Sequence, residues 1–165
     1  MKTLIIIFTV FLLFIFNGCS SSEILEMTPT VMNFECDFIF DNESLEGSMH
    51  VDNDGTVTLS ILKPDNINGT KLSVDELYLT IDTLGLTKQF DKTNVPEYSA
   101  ITYIYDALDS AKNQHLIQQD DDITIKSTSD SGQYVIHFDN LANPTIIELC
   151  DINKTVLLKN VIKNK

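Results

Sequence analysis

Most of this chain alternates apolar and polar residues with a period of two. Between residues 31 and 41, every second position is aromatic or a cysteine: Phe34, Cys36, Phe38 and Phe40. Alternation of this kind buries one face of a strand and leaves the other in water, which is typical of antiparallel sheets. The pattern therefore predicts a mainly β fold.

The same alternation recurs along the rest of the chain. The further rows span residues 45–51, 56–62, 77–81, 123–128, 133–139, 145–152 and 155–162. Stretches rich in Asp, Asn, Ser and Gly at residues 52–55 and 129–132 separate consecutive rows and predict hairpin turns, and residues 64–69 predict a longer turn. We expect eight or nine strands in one domain.

One segment, residues 99–113, has a helical period instead. Its apolar positions are Ile101, Ile104, Tyr105, Leu108 and Ala111. Ser99 stands where a helix cap is expected. A helix with one apolar stripe must bury that stripe, and the apolar face of the sheet is the surface available. The prediction is therefore one antiparallel sheet with one central helix.

The N-terminus has the form of an export signal. Lys2 is followed by an apolar run, Leu4–Phe16, that only Thr9 interrupts. A helix of that length rises roughly 20 Å, less than the ~30 Å of a hydrocarbon core. The run therefore predicts a secretory signal rather than a membrane span.

The end of that run, Gly18-Cys19 followed by three serines, resembles the lipobox of bacterial lipoproteins. The resemblance implies removal of a signal peptide at residues 1–18 and a diacylglyceryl group on Cys19. Residues 19–30 would be the lipidated cysteine and a tether, and residues 31–165 the β domain. The protein would then be held on the extracytoplasmic face of the cell membrane. The alternatives are an ordinary secretory signal with an incidental cysteine, or an uncleaved anchor.

The order of elements also resembles a family. Paired strands lead to the turn at residues 64–69, further strands and the helix follow, and four strands finish the chain. Over about residues 31–162 this resembles the LolA/LolB/LppX half-barrel lipoproteins. The resemblance implies a strongly curved antiparallel sheet that wraps the helix, and a hydrophobic or lipid ligand in an apolar cavity. The cavity candidates are Phe34, Phe38, Phe40, Met49, Leu59, Ile101, Ile104, Leu108 and Phe138. The alternative is an envelope structural or protein-interaction domain with a fully packed interior.

Charge and motifs exclude several functions. The net charge is −13, and all 11 basic residues are lysines. Such a chain repels phosphate backbones, so we expect no nucleic-acid partner. Without arginine it lacks the planar fork that grips phosphate, which disfavours a nucleotide site. No nucleophile elbow, zinc-protease motif or phosphate loop occurs. We therefore expect a non-enzymatic protein without a cofactor.

The metal-ligating residue types are scattered. His50, His115 and His137 share no ligand spacing, so no zinc site is expected. The acidic pairs and runs at residues 52–54 and 120–122 lack the further carboxylates of a calcium loop, which favours solvated turns.

Two cysteines, Cys36 and Cys150, remain once Cys19 is acylated. An extracytoplasmic location permits a disulfide between them. The sequence leaves open either that bridge or two free thiols, because a bridge requires the Cα atoms to come within ~7 Å.

Overall fold

A computed structural model describes residues 22–25, 27–40, 45–96 and 99–164 of the chain. Within these ranges the protein forms one sheet of 12 antiparallel strands and one α-helix. The sheet is not closed on itself. The prediction of a mainly β fold with one antiparallel sheet and one helix is confirmed.

The strands follow one another along the chain with short connections. They are β1 (Ser22–Leu25), β2 (Phe34–Phe40), β3 (Leu45–Val51), β4 (Val57–Lys63), β5 (Lys71–Val74), β6 (Tyr78–Thr83), β7 (Leu86–Asp91), β8 (Leu116–Gln119), β9 (Asp122–Ser129), β10 (Gly132–Phe138), β11 (Pro144–Leu149) and β12 (Lys154–Lys163). The helix, α1, covers Ala100–Ala111. Short 3-10 turns occur at Asp65–Ile67, Lys92–Asn94 and Cys150–Ile152.

The sheet order is β1-β8-β9-β10-β11-β12-β2-β3-β4-β5-β6-β7. Strands β2 to β7 form one meander and β8 to β11 a second one. Strand β12 lies between β11 and β2 and joins the two meanders, with Leu158 opposite Phe38.

The sheet curves around the helix. α1 contacts β9 and β11 near one end of the strand order and β4 and β5 near the other. Strands β9 and β5 are seven intervals apart in that order. On a flat sheet they would be about 34 Å apart at ~4.8 Å per interval, whereas the 12-residue helix is only ~18 Å long and ~10–12 Å wide. One helix can touch both strands only because the sheet bends.

The core follows the alternation of the sequence. In β2, Phe34, Cys36 and Phe38 are buried, while the intervening Glu35 and Asp37 are exposed. The stripe of α1 that carries Ile101, Ile104 and Leu108 is buried against them in the same apolar cluster. Burial of one strand face and one helix stripe is what the two periods predict.

The predicted turns are confirmed, and the helix ends within the predicted range. Residues 52–55 connect β3 to β4, residues 129–132 connect β9 to β10, and residues 64–69 lie between β4 and β5. Ser99 occupies the capping position, but its side chain makes no capping bond. Its backbone carbonyl instead accepts from the backbone N–H of Tyr103 at 3.0 Å.

The strand count differs from the prediction. Strands β5 and β8 are only four residues long, too short to show a period. Strand β7 is an edge strand whose side chains are exposed or half-buried, so it has no buried face to detect. Strand β1 lies inside the predicted tether, where it pairs with β8 and where Leu25 packs against the core.

No helix within the described ranges is long and apolar enough to cross a membrane. The predicted signal peptide and Cys19 lie outside those ranges.

Candidate binding cleft

A cleft of about 550 Å³ opens beside the N-terminal half of α1. The segments around β6 and β7 form one wall and the β9–β10 turn forms another, although β6 and β10 are seven strands apart in the sheet order. The curvature of the sheet brings these walls together. The lining residues are Glu76, Leu77, Tyr78, Asp91, Lys92, Thr93, Val95, Pro96, Thr102, Asp106, Asp130 and Ser131.

Three polar side chains meet in this cleft. Lys92 Nζ lies 2.5 Å from Asp106 Oδ1, and the Ser131 hydroxyl donates to Asp106 Oδ2. The Asp106 side chain is only 9% exposed and that of Lys92 only 21%, so the pair is largely removed from water. A buried carboxylate is stable only when paired, and both oxygens of Asp106 have a partner.

Local structure holds each of the three groups. Lys92 begins a 3-10 turn that Asp91 caps by accepting from the backbone N–H of Thr93 at 3.0 Å. The backbone N–H of Lys92 itself donates to the carbonyl of Leu77 at 2.8 Å. Asp106 lies in the middle of α1, and Ser131 lies in the β9–β10 turn.

Gly132, which follows Ser131, can have no side chain at this turn. Its φ is +131°, and a Cβ there would collide with the carboxylate of Asp151 and the hydroxyl of Tyr103. The Tyr103 hydroxyl donates to the carbonyl of Gln133, the next residue. The turn that carries Ser131 is therefore held against α1 by close backbone packing.

Tyr105 completes the polar cluster. The Lys92 ammonium lies 4.2 Å from the centre of the Tyr105 ring, close enough for a cation–π contact. Burial, and after it the neighbouring carboxylates of Asp109 and Asp106, together raise the pKa of Tyr105 to about 12. Tyr105 therefore remains a neutral hydroxyl at physiological pH.

The cleft is suited to hydrogen bonding with a polar ligand. Its lining carries four carboxylates and one ammonium, besides several hydroxyl groups. The Ser131 hydroxyl donates a hydrogen bond to the Asp106 carboxylate, and no histidine lies among the lining residues.

Little in the sequence indicates this cluster of side chains. Asp106 is the one charged residue between Ile101 and Leu108, a charge within an apolar helix, and that anomaly was a usable signal. Lys92 and Ser131 stand in polar turns like many others in the chain.

The predicted cavity residues are packed together in the core. Eight of the nine are buried and Phe40 is partly buried, all in or against one apolar cluster. The eight are Phe34, Phe38, Met49, Leu59, Ile101, Ile104, Leu108 and Phe138. None of the nine is among the described residues that line this cleft or two further clefts of the surface.

Cys36 and Cys150 are both free. Cys36 is buried on β2, and Cys150 is exposed in the turn after β11. Strand β12 lies between β2 and β11, which separates these strands by about 9–10 Å, beyond the ~7 Å that a disulfide spans. Of the two states that the sequence left open, the structure has the one without a bridge.

The histidines lie apart from the cleft. His50 and His137 are each bracketed by two carboxylates on the polar face of the sheet, and His115 is exposed after α1. The described part of the chain contains no group of three His, Cys, Asp or Glu side chains that could hold a metal ion.

The acidic stretches at residues 52–54 and 120–122 lie in hairpin turns, where Asp54 Oδ1 accepts from the backbone N–H of Thr56 at 2.9 Å.

Comparison with known proteins gives no relative: no family model matches the chain, and no curated protein is detectably similar to it.

Proposed function

We propose that this chain is a lipoprotein anchored through Cys19 on the extracytoplasmic face of the cell membrane, and that its β domain is a non-enzymatic interaction module with a packed interior. The anchor is proposed on the apolar run that ends in Gly18-Cys19. The packed interior is proposed because the cavity candidates are packed together in the core.

The burial of these side chains is the observation on which the proposal depends. Phe38, Ile104 and Leu108, which stand on the sheet and on the helix that faces it, are each 1% exposed and belong to one continuous cluster. A lipid-sized cavity between sheet and helix would leave such side chains partly exposed along its wall. The cleft beside α1 and a second one around Asp109 and Ser110 lie at the surface and have linings that are more polar than apolar, which favours a partner bound outside the core.

A carrier of a hydrophobic ligand is the second candidate. An open, curved antiparallel sheet around one helix supports the resemblance to the LolA/LolB/LppX half-barrel, whose better-known members carry acyl chains or lipoproteins. In this reading the helix would move to admit the ligand.

Native mass spectrometry of the chain from residue 20 onward, purified without detergent, separates the two candidates. The interaction module predicts one mass, that of the apo chain. A second, heavier species that releases lipid on activation would contradict the packed interior and support the carrier.

The anchor is tested by metabolic labelling in a bacterial host. The wild-type chain should incorporate labelled fatty acid, and the Cys19→Ala variant should not, because the thiol is the acyl acceptor. The matched control is Cys36→Ala, which should label like wild type. Equal labelling of the Cys19→Ala variant and the wild type would contradict the anchor.

A further inference from the structure

Exposed apolar side chains gather at the β1 edge of the sheet. Ile24 is 68% exposed, Met27 40% and Ile117 37%. Ile24 on β1 and Ile117 on β8 are direct partners in the strand register, so their side chains stand on one face, about 4.5–5.5 Å apart. We refer to Ile24, Met27 and Ile117 together as the β1 surface.

A lysine borders the cleft beside the β1 surface. Ile24 and Met27 line a shallow cleft of about 460 Å³, and the residues described in its lining include no carboxylate. The basic types in that lining are Lys112 and His115, and Lys112 is paired with Asp109 at 2.5 Å. Apolar side chains bordered by a lysine are typical of surfaces that enter a membrane interface.

The position of the β1 surface in the chain also indicates contact with a membrane. Ser22, the first residue of β1, comes three residues after Cys19. Covalent geometry allows about 11 Å at most between their Cα atoms. The headgroup layer of a bilayer is ~5–7 Å thick on each side. An acyl group on Cys19 would therefore hold β1 at the lipid surface.

We propose that the β1 surface rests on the phospholipid bilayer, with Ile24, Met27 and Ile117 at the boundary between headgroups and acyl chains. This inference rests on the proposed acylation of Cys19. Among the strands that the structure describes, β1 is the outermost of an open sheet, and none of them pairs with its outer edge. Backbone groups on that edge need water or headgroups, which keeps the strand in the interface and out of the hydrocarbon.

The absence of tryptophan from the chain permits a direct test. The full chain is produced in a bacterial host that acylates lipoproteins, and each variant carries one tryptophan as its reporter. Ile24→Trp and Ile117→Trp report on the β1 surface. Leu84→Trp is the matched control, because Leu84 is 94% exposed in the β6–β7 turn at the other end of the sheet order.

The variants are reconstituted into phosphatidylcholine vesicles with and without brominated acyl chains, which quench tryptophan near the acyl boundary. We expect about a twofold loss of fluorescence, with a shift to shorter wavelength, for Ile24→Trp and Ile117→Trp, and no change for Leu84→Trp. Vesicle flotation is measured on the same samples.

The possible failures are distinguishable. If the variants float with the vesicles but the β1 reporters are not quenched, or are quenched no more than Leu84→Trp, the docking surface is overturned and the anchor stands. If the variants do not float, the anchor at Cys19 is overturned, and the docking surface that depends on it is overturned as well.

Discussion

Lys92 Nζ lies 2.5 Å from Asp106 Oδ1, and this contact joins the last strand of the sheet order to the helix. Lys92 directly follows β7, an edge strand with little buried surface of its own. The ion pair, together with the Lys92–Tyr105 contact, therefore fastens the end of the β6–β7 hairpin to α1.

Removal of that fastening should destabilise the domain. We expect Lys92→Met to lower the free energy of unfolding by about 2–3 kcal/mol, because the Asp106 carboxylate stays buried without its cation. Urea unfolding followed by circular dichroism measures the change. The double variant Lys92→Met/Asp106→Leu should recover most of the loss, since it leaves no unpaired charge.

The matched control for this ion pair is Lys112→Met. Lys112 Nζ is also 2.5 Å from an aspartate, Asp109, but these side chains are 39% and 41% exposed. An exposed pair contributes little, so its loss should cost less than about 0.5 kcal/mol. Equal losses for the two lysine variants would show that burial of Asp106 has no energetic effect.

Truncation of the helix stripe tests whether the interior is packed. Leu108 is 1% exposed in the apolar cluster, so Leu108→Ala should lower the free energy of unfolding by about 2–5 kcal/mol. The measurement is chemical denaturation, alongside binding of a fluorescent fatty acid to the wild type. A cost below this range together with fatty-acid uptake would favour the carrier.

Gly47 on β3 should tolerate no side chain. A Cβ at this position would collide with the backbone carbonyl oxygen of Ser60 and lie 2.9 Å from the Phe38 ring. We expect Gly47→Ala to cost about 1–3 kcal/mol through overpacking. Ser48→Ala, on the exposed face of the same strand, is the control and should change the thermal midpoint little.

The two described thiols should differ in reactivity. Cys36 is 5% exposed and Cys150 is exposed, so iodoacetamide should modify Cys150 in the native protein and Cys36 only after unfolding. Burial, with a smaller contribution from the Asp37 carboxylate, raises the pKa of the Cys36 thiol to about 12, which suppresses its thiolate further. Peptide mass spectrometry of native and denatured samples identifies the site. Rapid native labelling of Cys36 would contradict its burial.

Burial of the Cys36 thiol should also make the protein less stable at alkaline pH. The pKa of Cys36 is about 12 in the folded protein against an ordinary value of 9.0, so between these values the unfolded chain is deprotonated while the folded one is not. The free energy of unfolding should therefore fall as pH rises from 9 to 12, by about 1.4 kcal/mol per pH unit from this group. Denaturation of wild type and Cys36→Ala across this range should give a shallower slope for the variant.

The sequence predicted those elements that have one buried face. Strand β2 shows the clearest alternation because Phe34 and Phe38 are buried and Glu35 and Asp37 are not. The helix was predicted for the corresponding reason, since its apolar period reports its contact with the sheet. Strands β1 and β7 lie at the two edges of the sheet, where pairing comes from backbone hydrogen bonds that leave no period in the side chains.

The cleft could not be predicted by the same means. Asp106 is 14 residues from Lys92 and 25 from Ser131, and these groups meet only because the sheet bends. Spacing along a sequence reports which face of an element is buried, whereas the curvature of a twelve-stranded sheet depends on the packing of the whole core.

The place of β12 governs how this chain must be assembled during synthesis. Lys163 pairs with Phe34 across 129 residues of sequence, so the two meanders stay unjoined until residues 154–163 have left the ribosome. Before then, β2 and β11 are unpaired edges bordered by apolar side chains, and such edges recruit strands from other chains. A nonsense mutation at residue 154, which removes all of β12, would therefore be far more harmful than loss of a surface tail of the same length, because it would release a chain with both edges open and prone to aggregate.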